Sequence, residues 1–204
     1  MRFLNSRFYS IAEVATNFFF LNILWLVMCI PIVTIFPATA AMFGVIRNWM
    51  VNKDTSVFRA FFTFFKENFK QSFIIGILWM LYIGVFYIDL FVLQQMDELI
   101  KTIFMSILLA IGLILAVITI HVFPIMVHFS LSFTGLVKNS LFFSLLYLPT
   151  SLLILVTVGA MIGILYIFPI TLLFIFSVSA YAVYFLCHKN FLKVETLTKV
   201  NDAV

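Results

Sequence analysis

Residues 148–187 read LPTSLLILVTVGAMIGILYIFPITLLFIFSVSAYAVYFLC, forty positions without one charged side chain. As a single helix this stretch would run roughly 60 Å, twice a bilayer core of about 30 Å. It must fold back on itself. Tyr166–Pro169 supplies the place, because proline donates no backbone hydrogen bond and disfavours helix in the residue before it. Two short spans result, Leu148–Leu165 and Pro169–Cys187.

Upstream, three further stretches have the length and apolar content of a crossing: Asn17–Phe36, Phe73–Leu93 and Thr102–Val127. Of the 204 residues, 65% are apolar and 10% are charged, against about 45–50% and about 25% in soluble domains. A soluble core could not hide the 27 phenylalanines. The chain therefore reads as all-α, one integral membrane domain over residues 1–204. It is a polytopic membrane helical bundle of about five transmembrane helices plus interfacial amphipathic helices. A soluble enzyme, a secreted disulfide scaffold and a disordered tail are excluded. Cys29 and Cys187 lie in apolar runs and read as free thiols, with no disulfide framework or metal set. The net charge of +4 comes from loop Lys and Arg beside apolar spans. These read as topology determinants and contacts to membrane lipids, not as a nucleic-acid surface.

The N-terminus has some features of a secretory leader: Arg2 and Arg7 precede an apolar run, and Ala38-Thr39-Ala40 has the small residues of a cleavage site. The run is longer than a leader core, holds Pro31, and follows Glu13, so an uncleaved first helix is the better reading. Arg47, Lys53, Arg59, Lys66 and Lys70 fall between the first two spans, Lys138 in the third connection, and Lys189, Lys193 and Lys199 in the tail. With five spans, these nine of the twelve basic residues share one side, leaving Arg2, Arg7 and Lys101 on the other. The excess of Lys and Arg on cytoplasmic loops then predicts a multi-pass protein of the bacterial cell membrane, N-terminus outside and C-terminus cytoplasmic.

The first connection carries the most specific pattern. In SVFRAFFTFFKENFKQSF, residues 56–73, Phe58, Phe61, Phe62, Phe65 and Phe69 recur at +3, +4, +7 and +11. At about 100° per residue they form one helical stripe, flanked by Arg59, Lys66 and Lys70. Asp54, Thr55 and Ser56 stand where they can cap free N–H groups. Such an amphipathic helix over residues 56–70 would lie in the headgroup plane, or offer its aromatic and basic face to a partner protein. A second Phe-Pro pair, Phe123-Pro124, follows Phe36-Pro37 by 87 residues, which raises the reading of a tandem duplication of span, Phe-Pro, surface helix and span.

Ionisable groups in spans are candidate functional groups by default. Asp89 near the end of its span, before Gln94-Gln95, reads as reaching the interface. His121 and His128, seven apart, would share a helix face, yet no Cys, Asp or Glu stands near enough in sequence to complete a metal site. His188 beside Lys189 reads as a headgroup contact. Asn17 and Asn22 are expected to hydrogen-bond across helices, and Gly159-x-x-x-Gly163 to let helices approach closely. Gly76, Gly84 and Gly112 carry the same expectation. No glycine-rich phosphate loop, no Ser-His-Asp set and no paired carboxylates occur, so no catalytic residue and no cofactor are expected.

Three segments resemble the YesL-like family of small bacterial membrane proteins: Pro31 to Phe43 (PIVTIFPATAAMF), Ser56 to Gln71 (SVFRAFFTFFKENFKQ), and, more loosely, Phe123-Pro124 onward to Lys138-Asn139-Ser140. The resemblance extends to about Lys189. It implies genomic neighbourhood with carbohydrate ABC importers, mostly in Gram-positive bacteria, and hence contact with importer permease subunits. It carries no catalytic residues. The expected function is a non-enzymatic accessory or regulatory membrane subunit associated with a carbohydrate or oligosaccharide importer. Phe58, Phe61, Phe62, Phe65 and Phe69 would give the apolar contact and Arg59, Lys66 and Lys70 the charged rim. Two alternatives stay open: an envelope glycan or lipid-linked saccharide assembly factor using Asp89, His121 or His128, and a scaffold self-associating as a homo-oligomer through Gly159 and Gly163.

Overall fold

The structure, a computed structural model, describes residues 2–92 and 97–201, with side chains described for residue 9, 11–92 and 97–196. Seven helices account for almost all of it: α1 (Arg2–Met28), α2 (Ile35–Arg47), α3 (Phe58–Val92), α4 (Glu98–His128), α5 (Phe133–Leu146), α6 (Leu148–Ile167) and α7 (Ile175–Asn201). No strand occurs among the described residues. Five segments are long and apolar enough to cross a membrane: Ile11–Met28, Ile32–Asn52, Phe58–Val92, Glu98–His128 and Leu148–Ile167. The chain is an all-α, multi-pass membrane bundle.

The expected first span, 17–36, divides. Helix α1 stops at Met28 because Pro31 cannot continue it, and a 3-10 turn over Ile32–Thr34 reverses the chain. Thr34 fastens that turn by donating its hydroxyl to the Pro31 carbonyl (2.6 Å). Helix α2 then runs back along α1: the Trp25 indole N–H donates to Thr39 Oγ1 at 3.1 Å, and Phe18 meets the Trp49 ring at 5.2 Å. Pro37 stands in the first turn of α2, where its missing N–H costs nothing.

Helix α2 is the centre of the bundle and packs against α1, α3, α4 and α7. Its buried residues are Pro37, Ala38 and the unbroken run Ala40 to Ile46. Small side chains are what allow four helices to approach one. Gly44 shows this most directly, since a Cβ there would overlap the Phe64 ring of α3.

Helix α3 replaces the expected pair of elements, a surface helix over 56–70 and a span over 73–93. No glycine or proline interrupts residues 58–75, so the helix continues for 35 residues, roughly 52 Å. Helix α4 returns beside it, held by the Trp79 indole N–H to Thr119 Oγ1 (2.8 Å) and the Tyr82 hydroxyl to the Leu108 carbonyl (3.0 Å). Gly112 makes room for Tyr82, and Gly76 lies against Phe36; Gly84 meets nothing. Pro124 is accommodated inside α4.

The charge-free block folds back where expected. Helix α6 ends at Ile167, a 3-10 turn occupies Pro169–Leu173, and α7 starts at Ile175. The expected last span, 169–187, therefore becomes this turn and the apolar first half of α7. That helix runs on through His188 and Lys189 to Asn201. The duplication reading fails: Phe36-Pro37 opens α2, whereas Phe123-Pro124 lies in the last turns of α4. The two pairs meet inside one core, with Phe36 and Phe43 each 6.0 Å from the Phe123 ring.

Because α1 and α2 are antiparallel, the start of α1 lies at the same end as residues 49–58, where Phe20 meets Phe58 at 5.6 Å. Phe18 also meets Tyr181 of α7 at 5.5 Å. The expectation that the N-terminus lies opposite the first basic connection is thus corrected by one added helix. The N-terminus, the 47–59 connection, the 128–133 connection and the second half of α7 share one end, with eleven of the twelve Lys and Arg. The other end carries Lys101 with Asp89, Asp97 and Glu98.

Candidate functional site

At the basic end the first half of α3 projects its aromatic ladder. Phe61, Phe65, Phe69 and Phe73 follow one another at i+4, each ring 5.5–6.3 Å from the next. The ladder does not form one free face. Phe61 is 0% exposed and belongs to the core, together with Ala60, while Phe65 is half-buried. Phe58, Phe62 and Phe69 remain 53%, 43% and 37% exposed, and Arg59, Lys66 and Lys70 are exposed among them. The expected interface set is therefore divided. Phe61 anchors α3, and the other aromatic rings with their three cations make a narrower outward face.

The connection before it is a built turn. After a single π-type turn over Asn48–Asn52, Lys53 adopts a left-handed backbone (φ 59°). Its N–H closes on the Asn48 carbonyl. Asp54 accepts the Ser56 backbone N–H at 2.9 Å and the Asn48 amide at 3.2 Å. The Ser56 bond holds its carboxyl below the ordinary carboxylate range.

Between α2, α3 and α4 a cleft of about 630 Å³ opens at the same end, lined among others by Arg47, Glu67, Asn68, Gln71, His128 and Ser130. Gln71 donates to the Leu131 carbonyl at 2.9 Å, tying α3 to the 128–133 connection. Arg47 suits the C-terminal turn of α2, where a cation faces the negative end of the helix dipole. His128 forms the other wall. Its Nδ1 accepts from the Tyr184 hydroxyl (2.9 Å) and its Nε2–H donates to Glu195 (3.0 Å), the tautomer that satisfies both partners. Phe191 lies 4.7 Å from the imidazole. This is a polar lock between α4 and α7, and the spacing of the histidines could not reveal it because Tyr184 and Glu195 lie 56 and 67 residues downstream.

His121 is separate from it. The ring is 2% exposed, with Nδ1 3.3 Å from the Val117 carbonyl and Nε2 3.5 Å from the Ser151 hydroxyl. His188 lies 5.7 Å from His128. Asp89 is half-exposed on the last turns of α3 at the opposite end, and Gln94-Gln95 lie outside the described residues. Asp89, His121 and His128 do not converge. No group of three or more His, Cys, Asp or Glu among the described residues could hold a metal ion.

Asn22 and Asn17 also part company. Asn22 is fully buried; its amide donates to the Leu172 carbonyl at 2.7 Å and its Oδ1 accepts the Ser177 backbone N–H at 3.1 Å. It caps α7 from α1. Ser177 completes the clasp by donating its hydroxyl to the Phe18 carbonyl (2.9 Å). Asn17 lines a surface groove. Gly159 and Gly163 lie on an exposed face of α6, and a Cβ at either would meet nothing within 4 Å. They do not pack helices within the chain.

A family described as "Protein of unknown function, DUF624" matches residues 18–90, the segment that holds α2 and nearly all of α3. "Uncharacterized protein YesL" of Bacillus subtilis (strain 168) is 31% identical over 164 residues, covering 78% of this chain and 76% of its own length. The chain belongs to the YesL-like DUF624 family. A second relative, "Uncharacterized protein YteU" of the same organism, is 30% identical over 194 residues, covering 93% of this chain and 87% of its own. "Uncharacterized protein YesV", also from that organism, is 26% identical over 165 residues, 79% of each chain. No solved structure matches the chain significantly.

Proposed function

We propose that this DUF624 protein is a non-enzymatic membrane subunit that acts by binding another membrane protein, with a carbohydrate ABC importer as the expected partner. The observation that carries the reading is the outward face of α3: Phe58, Phe62 and Phe69 exposed among Arg59, Lys66 and Lys70. Aromatic rings ringed by cations suit a protein interface, where apolar anchors supply most of the affinity and rim charges set partner choice. The importer comes from the family resemblance alone. The separation of Asp89, His121 and His128 speaks against the glycan-assembly alternative, because a reaction needs its groups within reach of one substrate.

The orientation proposed is both termini in the cytoplasm, with the apolar first half of α7 counted as a sixth crossing after the five longer apolar segments, since eleven of the twelve Lys and Arg gather at the end holding both termini. Reporter fusions at each terminus test it, and an N-terminal tag accessible only from outside intact cells would refute it. The partner is tested by a mild-detergent pull-down of the tagged chain from its own host. Two importer permeases should copurify with it stoichiometrically. The combined variant Phe58→Ser, Phe62→Ser and Phe69→Ser should abolish their recovery while insertion and thermal stability hold. Unchanged recovery would remove this face from the interface, and recovery of the chain alone would overturn the reading.

A further inference from the structure

We infer that the groove between α1, the turn after α2, and α7 is a binding site for one anionic phospholipid. The groove holds about 430 Å³, within the range of small-molecule sites. Phe18, Trp49, Tyr181 and Phe185 line it with Val14 and Met50, so most of its lining residues are apolar or aromatic. The wall is preorganised, because Phe18 packs edge-on against both Trp49 (5.2 Å) and Tyr181 (5.5 Å). Lys53 lines it as well, placed there by the left-handed turn that ends the helix, and no Asp or Glu is among the lining residues. Lys189 adds a second cation alongside, its Nζ 4.5 Å from the centre of the Phe185 ring.

The charges around the groove are all of one sign: Lys53 lines it, Lys189 stands beside it, and its lining holds no carboxylate to answer them. An aromatic and apolar wall beside uncompensated cations selects an amphiphile with an acyl chain and a phosphate oxygen. Phosphodiester lipids of the anionic leaflet that meets this basic end have that chemistry. A zwitterionic lipid would bring its own ammonium toward Lys53, and a neutral one would leave Lys53 unpaired.

The test uses the full-length chain in mixed micelles of equimolar phosphatidylglycerol and phosphatidylcholine with identical acyl chains, read by native mass spectrometry. One phosphatidylglycerol should be retained per chain, preferred over phosphatidylcholine by about fivefold, the effect of one lysine near an anionic headgroup. Lys53→Asn, which keeps a residue tolerant of the left-handed backbone, should lower the preference to no more than half, and Lys53→Asn with Lys189→Asn should abolish it. Trp49→Ala, which removes part of the aromatic wall, should reduce retention of phosphatidylglycerol. Lys138→Asn, on α5 outside the groove, should leave both unchanged. The melting temperature of each variant separates lost binding from lost folding. Equal retention of the two lipids would overturn the assignment. So would an equal effect of Lys138→Asn, which would mean diffuse surface charge, or displacement by millimolar glycerol phosphate, which would mean a free anion is sufficient.

Discussion

Replacing Asn22 by leucine tests how the charge-free block is held in its folded-back form. The side chains are close in volume, so the change leaves the α1 backbone in place and removes two hydrogen bonds, to the Leu172 carbonyl and from the Ser177 N–H. In soluble proteins each orphaned buried group costs about 1–3 kcal/mol. Interhelical bonds in membranes average about 0.6 kcal/mol, because the unfolded chain in lipid also finds partners. Ser177 is fully buried and its amide lies in the first turn of α7, where no carbonyl of its own helix can take the bond. We therefore expect a loss of about 3 kcal/mol. At about 2–4 °C per kcal/mol for a chain of this size, the melting temperature should fall by roughly 6–12 °C. Heating the detergent-solubilised protein in steps and following the monodisperse peak by size-exclusion chromatography reads this directly. Asn17→Ala is the internal comparison, because Asn17 makes neither bond and should shift the midpoint by no more than about 2 °C. A midpoint for Asn22→Leu within that margin of wild type, or an equal fall for Asn17→Ala, would refute the clasp.

Gly44→Ala should lower stability by about 1–3 kcal/mol because its methyl overlaps the Phe64 ring, whereas Gly84→Ala, with nothing to meet, should hold or raise the melting temperature. Spin labels at Arg59 and Tyr87, 28 residues apart on α3, should lie about 42 Å apart; a surface helix bent at right angles to the span near residue 71 would bring them to about 30 Å. His128→Leu leaves the buried Tyr184 hydroxyl without its partner, an expected loss of about 1–3 kcal/mol in the same thermal assay. Gly159→Leu with Gly163→Leu should leave the stability of the monomer unchanged, since neither position touches the rest of the chain. If the chain self-associates through α6, the dimer fraction in cross-linking will drop, and an unaltered fraction excludes that face.

What the sequence makes legible here is set by local physics. A charge-free run too long for one crossing and a proline near its middle suffice to place the bend, and α6 and the 3-10 turn lie where that argument puts them. The continuity of α3 was also within reach, because residues 66–75 contain no helix breaker. The amphipathic stripe drew the boundary instead. By periodicity alone that stripe is one face, but the packing of α2 on α3 takes Phe61 into the core and leaves Phe58 and Phe62 outside. The clasp at Ser177 and the lock at His128 join residues 155 and 67 positions apart. Their pairing depends on how each helix is rotated about its axis, which no single helix's periodicity determines.

Helix α2 is the instructive case. Its sequence, IFPATAAMFGVIR, is uncharged up to Arg47 but holds three alanines, a glycine, a threonine and a proline, so it resembles a connection when judged by hydrophobicity alone. In a bilayer the driving force for helix contact is close packing and hydrogen bonding, since lipid tails are as apolar as leucine. The residues that make a helix central are therefore the small ones that make it look weakly hydrophobic. The consequence reaches topology. Adding α2 as a helix moves the N-terminus to the end that holds the first connection, and Arg2 and Arg7 join the other cations there. Without α2, those two arginines would stand at the end opposite the main group of cations. With α2 in place they join that group, and Lys101, shortly after Asp97 and Glu98, is the one basic residue left at the far end. The charge distribution and the helix geometry are independent observations, and they agree only when that small-residue segment is counted as a helix of the bundle.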